Sequence, residues 1–218
     1  MSGKFEHEEA WRGPAYLSKL MMPVAVCGVG AVGSNLLQAL ARIGFSDLRG
    51  IDFDRVEEAN VAVQAFGLRD VGAMKATAIQ KRIFEETGVE IKAHTKIIEG
   101  STVGKLLRGS YLVVDCLDNV LSRAIVQNHC HAQKYPLIHV GLSNDGFAEV
   151  TWEKHYRMPA KPLEGDPCAN PMTRNLVMLA VAVAAEEIAD FFLAEDPRMA
   201  SWEITIRDLA IRRKAGSL

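Results

Sequence analysis

Three glycines and an acid are the residues best placed for chemistry. Gly28, Gly30 and Gly33 form G-x-G-x-x-G in "VAVCGVGAVGSNLLQALARIGFSDLRGIDFD", and Asp52 lies in the "DLRGIDFD" that ends that stretch. Such a triplet, directly after an apolar run and leading into a helix, binds anions. The first glycine permits a tight turn, the second lets backbone approach phosphate, and the third lets helix pack on strand. The helix N-terminus then presents free N–H groups and the positive end of its dipole. Asp52 stands where a carboxylate accepts a ribose hydroxyl. The chemistry is nucleotide binding, and these residues suit NAD and ATP equally.

The elements that must hold this turn alternate. "VAVCGVG" reads as a buried strand because its apolar run is continuous. Residues 33–43 follow as a helix with Leu36, Leu37, Leu40 and Ile43 on one side. "DLRGIDFD" is a second strand, Lys75–Thr87 a helix, "IKAHTKII" a third strand and "SYLVVDCLD" a fourth. Residues 120–134 read as a helix, "YPLIHVGL" as a fifth strand and "FAEVTW" as a sixth, antiparallel for want of a crossover. Residues 1–22 hold a helical segment interrupted by Gly13-Pro14. Residues 153–172 read as a surface crossover loop with four prolines, 173–194 as a long helix, and "SWEITIRDLAI" as a last strand. The expected fold class is α/β: a Rossmann-like, mostly parallel sheet flanked by helices, with antiparallel C-terminal strands. Residues 1–218 are expected to form one domain.

Bulk properties exclude several classes. The chain of 218 residues carries a formal net charge of -2, and no basic run of five residues, so neither nucleic acid nor an anionic membrane is an expected partner. The acidic start "MSGKFEHEEAWRG" has no apolar signal core, and the richest apolar stretch, Leu176–Ala185, is too short to span a bilayer. A cytoplasmic location is the expectation. Cys27, Cys116, Cys130 and Cys168 contain no C-x-x-C pair, so structural zinc is not expected. Cys27 and Cys116 end apolar runs and read as buried thiols. Cys130 has His129 and His131 beside it, but adjacent helical positions diverge and do not make a metal site.

The stretches "GVGAVGS", "IDFDRVEEAN...Q", "DVGAMKA" and "VVDCLDNVLSR", in this order and spacing, resemble the ThiF/MoeB-type adenylyltransferases, relatives of the ubiquitin-activating enzymes. The resemblance spans roughly Leu17 to Phe192. It implies ATP and Mg2+ as cofactors, with Asp52 on the ribose and Gly28, Gly30 and Gly33 around the phosphates. Asn60 and Gln64 would line the triphosphate pocket and Lys75 would neutralise charge on the leaving pyrophosphate. Asp118 would be the metal acid, with Asp54 and Asp115 as lesser candidates for the same pocket. Asn60 and Asp118 also read as helix caps. Arg123 reads as a brace for the Asp118 loop. The resemblance further implies a homodimer, and a ubiquitin-like or sulfur-carrier protein, or a peptide, whose C-terminal carboxylate is adenylated.

Three departures stand out. Val63 occupies a place where the family usually carries arginine beside the glutamine; Arg69 is a distant substitute. Arg12 is the nearest counterpart of an N-terminal arginine that reaches a partner subunit's site. Cys168, in "EGDPCANPMTRN", lies near the family's thioester or persulfide cysteine and reads either as a catalytic thiol or as the relic of a lost zinc pair; Lys161 and Arg174 are near enough in sequence to lower its pKa. Two other functions compete: a catalytically weakened scaffold that binds a ubiquitin-like partner or an active homologue, suggested by Val63, and a NAD-dependent oxidoreductase. Nothing between Asn60 and Lys75 suits hydride transfer.

Overall fold

A computed structural model describes residues 3–143, 145–158 and 172–214. Its centre is one eight-stranded sheet in the order β3-β2-β1-β4-β5-β6-β7-β8. The strands are β1 (Val24–Cys27), β2 (Leu48–Ile51), β3 (Lys92–His94), β4 (Leu112–Asp115), β5 (Leu137–Leu142), β6 (Phe147–Trp152), β7 (Trp202–Thr205) and β8 (Ala210–Arg213). Strands β3 through β5 in this order pair in parallel, and β5 to β8 pair antiparallel. The fold class is therefore the one the alternating pattern predicts.

Among the described residues, seven α-helices connect and cover the strands: α1 (Glu6–Arg12), α2 (Tyr16–Lys19), α3 (Ala31–Ile43), α4 (Lys75–Thr87), α5 (Val103–Leu106), α6 (Val120–Gln133) and α7 (Arg174–Leu193). Burial on both faces explains the unbroken apolar runs. On β1, Val24 and Val26 pack into the core beneath α3, α4 and α7, while Ala25 and Cys27 face the smaller core beneath α5 and α6. Strand β4 divides the same way, with Val114 on the first side and Val113 on the second. Helix α7 is pinned by an acid rather than by apolar contact alone. The buried Glu187 carboxylate accepts hydrogen bonds from the Trp152 and Trp202 indoles, at 3.2 and 2.8 Å, and from the Ala200 amide.

Several boundaries differ from expectation. Strand β1 stops at Cys27 and α3 starts at Ala31, so the strand is shorter and the helix longer than the pattern suggested. Of "IKAHTKII" only Lys92–His94 pairs, because the sheet edge ends there. The single last strand is a hairpin, β7–β8, turning at residues 206–209, where Leu209 adopts φ 51°. The interrupted N-terminal helix is two short helices. The prolines of 159, 162, 167 and 171, and with them Cys168 and Lys161, lie outside the described residues.

Candidate active site

In an open sheet of this kind, ligands bind beyond the carboxyl ends of strands where the chain reverses its direction of travel along the sheet. Here that point lies between β1 and β4. From β1 the chain moves outward to β2 and β3, then returns to β4 and continues to β5 on the other side. The loops leaving β1, β2 and β4 surround one cleft, with Gly28, Gly30, Asp52, Asp54, Lys75 and Asp118 on its walls.

The three glycines do three different jobs. Gly28 has φ +85°, and a Cβ there would lie 2.8 Å from the Cys116 carbonyl oxygen, so backbone conformation and space both demand glycine. A Cβ on Gly33 would stand 1.9 Å from the Gly28 carbonyl oxygen, which fixes how closely α3 seats on the turn. A Cβ on Gly30 would meet nothing within 4 Å. The space above Gly30 belongs to the cleft, and what glycine preserves there is access to backbone. Among the described residues no side chain caps α3, which leaves its first N–H groups, next to Gly30, without a side-chain partner.

Asp52 organises the turn as well as facing the cleft. Its Oδ2 accepts from the Val29 amide at 2.7 Å and its Oδ1 from the Asp54 amide at 2.8 Å. Each oxygen keeps a further lone pair for a hydroxyl donor. Burial raises the Asp52 pKa from its ordinary 3.8, against the two amide hydrogen bonds and the Lys75 charge, which lower it.

The long polar connection after β2 returns to its own start. The Val56 amide donates to the Ala73 carbonyl and the Lys75 amide to the Asp54 carbonyl, with an isolated bridge between Arg55 and Met74. That closure sets Lys75, the first residue of α4, beside the acid that precedes the loop. Its side chain is 7% exposed and its Nζ lies 3.2 Å from Asp54 Oδ2. An ammonium has three donors, so this one keeps capacity for a ligand. Lys96, which sequence reasoning passed over, adds a second cation to the cleft wall. The only clue to it was a lysine inside the strand-like segment "IKAHTKII".

Asp118 is exposed and makes no hydrogen bond or ion pair among the described residues. The helix cap is its neighbour: Asn119 Oδ1 accepts from the Ser122 amide at 2.8 Å, which corrects the expectation that Asp118 caps. Arg123 braces the loop as expected, its Nε donating to the Leu117 carbonyl at 2.7 Å.

Other expected site residues are placed elsewhere. Asn60 is buried but Oδ1 accepts from the Glu57 amide at 2.9 Å, a local cap, and neither it nor Gln64 is on the cleft wall. Gln64 Oε1 is buried without a partner. Asp115 is fully buried and faces His139, so it is not a pocket acid. The Arg12 guanidinium is held by Glu8 and Glu186 at 2.6 and 2.8 Å, and thus satisfied within its own chain. At Val63 the backbone serves structure, its carbonyl accepting from Asn35 Nδ2 at 3.0 Å.

Burial also separates the cysteines from chemistry. It raises the thiol pKa of Cys27 and Cys116 well above the ordinary range, with the Asp115 charge adding to both, and pushes Cys130 up to about 12. Thiolate, not thiol, is the nucleophile. None of these three is suited to group transfer at neutral pH.

The residues fit a nucleoside triphosphate. An open backbone turn, an uncapped helix N-terminus and a buried ammonium converge where phosphates would lie. Among the described residues no cluster of three acidic, histidine or cysteine side chains could hold a metal alone. Mg2+ needs no such cage, because it is usually shared between one or two carboxylates and substrate phosphates. Asp118 is a free carboxylate at the right edge for that. A larger, more open hollow of ≈ 580 Å³ lies by Gln127, His131 and Tyr156, but it has no glycine turn and no helix N-terminus.

Fold and cleft define a Rossmann-like α/β protein with its site at the sheet's switch point. The model of the ThiF family matches residues 13–183, and the chain belongs to that family. It is 30% identical over 126 residues to "Adenylyltransferase and sulfurtransferase MOCS3" of Drosophila ananassae, covering 56% of this chain and 28% of the relative. It is 32% identical over 133 residues to "SAMP-activating enzyme E1" of Haloferax volcanii, covering 58% and 48%. The chain thus matches less than half the length of either relative. Among solved structures, Escherichia coli MccB with ATP superposes with a TM-score of 0.80 at 18% identity, covering 98% of this chain and 71% of that one. At that identity the likeness is one of fold.

Proposed function

We propose that this protein activates the C-terminal carboxylate of a ubiquitin-like or sulfur-carrier protein, or of a peptide, by ATP-dependent adenylation. The observation that carries this is the open space over Gly30, walled by the α3 N-terminus, Asp52, Lys75 and Asp118. A dinucleotide would use the turn and the acid, but a buried ammonium beside the phosphate path and a free carboxylate opposite it suit a triphosphate with its metal. The family assignment, and relatives named as an adenylyltransferase and an activating enzyme, support the same class.

In this scheme Asp52 accepts ribose hydroxyls, and the backbone of Gly28, Gly30 and Gly33 with the first turn of α3 receives the phosphates. Lys75, in its pairing with Asp54, meets negative charge on the polyphosphate. Asn60 and Gln64 stay candidates for the triphosphate wall through movement of their loop on binding. The substrate carboxylate oxygen attacks the α-phosphorus, a C–O–P linkage forms, and the Pα–O bond to the β-phosphate breaks with its electrons leaving on pyrophosphate. Asp118 would hold Mg2+, which when bound would supply charge neutralisation to that leaving group. Preorganised cations and dipoles carry such a transfer, with little covalent help from the protein. Later transfer of the acyl group to a thiol falls to Cys168, since burial disfavours the thiolate of Cys27, Cys116 and Cys130. The enzyme works in this proposal as a cytoplasmic homodimer.

Calorimetric titration with MgATP and with NAD tests the nucleotide directly. MgATP binding that is weakened at least roughly tenfold by Lys75→Met supports the proposal; preferential NAD binding contradicts it. One observation favours a second function: with Val63 in place of a family arginine, the site lacks a cation there. A scaffold that binds a ubiquitin-like protein would bind MgATP yet turn over with no carboxylate substrate.

A further inference from the structure

Directly beneath the cleft runs a chain of buried charges that the nucleotide chemistry does not touch. Asp115, the last residue of β4, and His139, in the middle of β5, are both fully buried. Asp115 Oδ2 lies 2.8 Å from His139 Nδ1, and His139 Nε2 lies 2.5 Å from Glu153 Oε2. The imidazole stacks on the Tyr156 ring at 3.7 Å between centroids. From α6, Arg123 Nη1 reaches Asp115 Oδ2 at 3.5 Å and donates to the Tyr156 hydroxyl at 3.0 Å. Glu153 Oε1 accepts from Gln127 and lies 2.7 Å from His131 Nε2. Across β6, the register partner of His139 is Thr151, whose hydroxyl is buried without a partner.

An apolar side chain at position 139 would suit a strand otherwise reading "LI.VGL", and burying ions in place of apolar groups costs desolvation. The chain must gain something from the charges. Both ring nitrogens face carboxylate oxygens, which only accept, so both carry protons and the ring is an imidazolium. Burial lowers the His139 pKa, but the hydrogen bonds the ring donates to Asp115 and Glu153 outweigh it and hold the value above the ordinary 6.5. The four groups then balance: Asp115 and Glu153 against His139 and Arg123.

What the balance holds is one peptide unit on each side of Leu117. Asp115 Oδ1 accepts from the Leu117 amide at 2.9 Å, and Arg123 Nε donates to the Leu117 carbonyl at 2.7 Å. The next residue is Asp118. We propose that His139, bridged between Asp115 and Glu153, is a positioning residue that fixes the Leu117–Asp118 segment at the wall of the nucleotide cleft. The proposal rests on the cleft's nucleotide chemistry. Without the ring's second proton, Asp115 turns its charge to Arg123 instead, and Arg123 leaves the Leu117 carbonyl.

Glu153→Gln separates charge from shape. The new amide can donate to His139 Nε2, which leaves a neutral ring still bonded to Asp115, so the variant is expected to fold. Three quantities are followed with pH in wild type and variant: the His139 ring titration by NMR, the hydrogen exchange of the Leu117 amide corrected for its intrinsic pH dependence, and MgATP affinity. In the wild type, Leu117 protection and MgATP affinity should each fall roughly tenfold as His139 titrates, and both transitions should move to lower pH with the ring in Glu153→Gln. A shifted ring titration with either readout left behind overturns the proposal. If MgATP does not bind the wild type at any pH, the nucleotide function fails, and Leu117 exchange alone then decides whether His139 holds the loop.

Discussion

Two aspartates three residues apart in "DCLDN" have opposite fates. Asp115 is fully buried, and both its oxygens are engaged, by His139, Arg123 and the Leu117 amide. Asp118 is exposed and bonded to none of the described residues. The first is spent on holding the loop; the second is left free for a ligand. Burial alone would raise the Asp115 pKa, but the charge of Arg123 and the His139 hydrogen bond overcome that and hold it below 3.8. A site of this kind needs both: an unbonded acid is useful only if something else prevents it from wandering.

The largest effect that can break the contrast is on stability. Asp115→Ala strands two buried cations and should cost about 3–5 kcal/mol, read as a lowered urea midpoint. Asp118→Ala should leave that midpoint near wild type, since no contact within the chain is lost. Equal destabilisation of the two would erase the distinction.

A smaller effect separates the glycines in the same way. Gly33→Ala places a methyl against the Gly28 carbonyl and should destabilise by about 1–3 kcal/mol. Gly30→Ala meets no protein atom, and Gly30 has φ −83°, so its fold should tolerate the change while MgATP affinity falls by at least roughly tenfold. Thermal unfolding paired with calorimetry reads both.

The smallest and broadest effect is that of pH on stability. The His139 pKa is raised on folding, so its contribution is fully present below 6.5 and is lost as pH rises through the higher folded value. Asp115 and Glu153 have lowered values, so theirs is present above 3.8 and 4.5 respectively and is lost as pH falls through the folded values. Thermal midpoints should therefore be highest between these limits, and Glu153→Gln should pull the alkaline limb to lower pH. An alkaline limb that stays in place would show that His139 is not the titrating group.

How much of this could be read from the sequence depends on how far apart the partners lie. The glycine turn and Asp52 were legible because one strand, one turn and one helix encode them locally. Lys75 was legible as a residue of the cleft through its motif, but the backbone closure that delivers it, Asp54 to Lys75, was not. The β7–β8 hairpin was hidden because its turn places Leu209, not glycine or asparagine, at positive φ. Asn60 reads in the sequence both as a cap and as a pocket residue, because one residue type serves either; the structure shows the cap, its Oδ1 accepting from the Glu57 amide. The Asp115–His139–Glu153 chain joins three separate elements. Its one visible signal was a histidine set in the apolar strand "YPLIHVGL", which the sequence pattern gave no reason to pair with a neighbour's terminal acid.

The central claim is that Asp118 serves chemistry while Asp115 serves position, and ATP–pyrophosphate exchange tests it most directly. The assay would supply a co-encoded ubiquitin-like protein, or its C-terminal peptide, and compare wild type with Asp118→Asn and Cys168→Ala. Exchange should be lost in Asp118→Asn, whose fold is intact, and retained in Cys168→Ala, because adenylation precedes any thiol. Undiminished exchange in Asp118→Asn would contradict the assignment of the free carboxylate to the site.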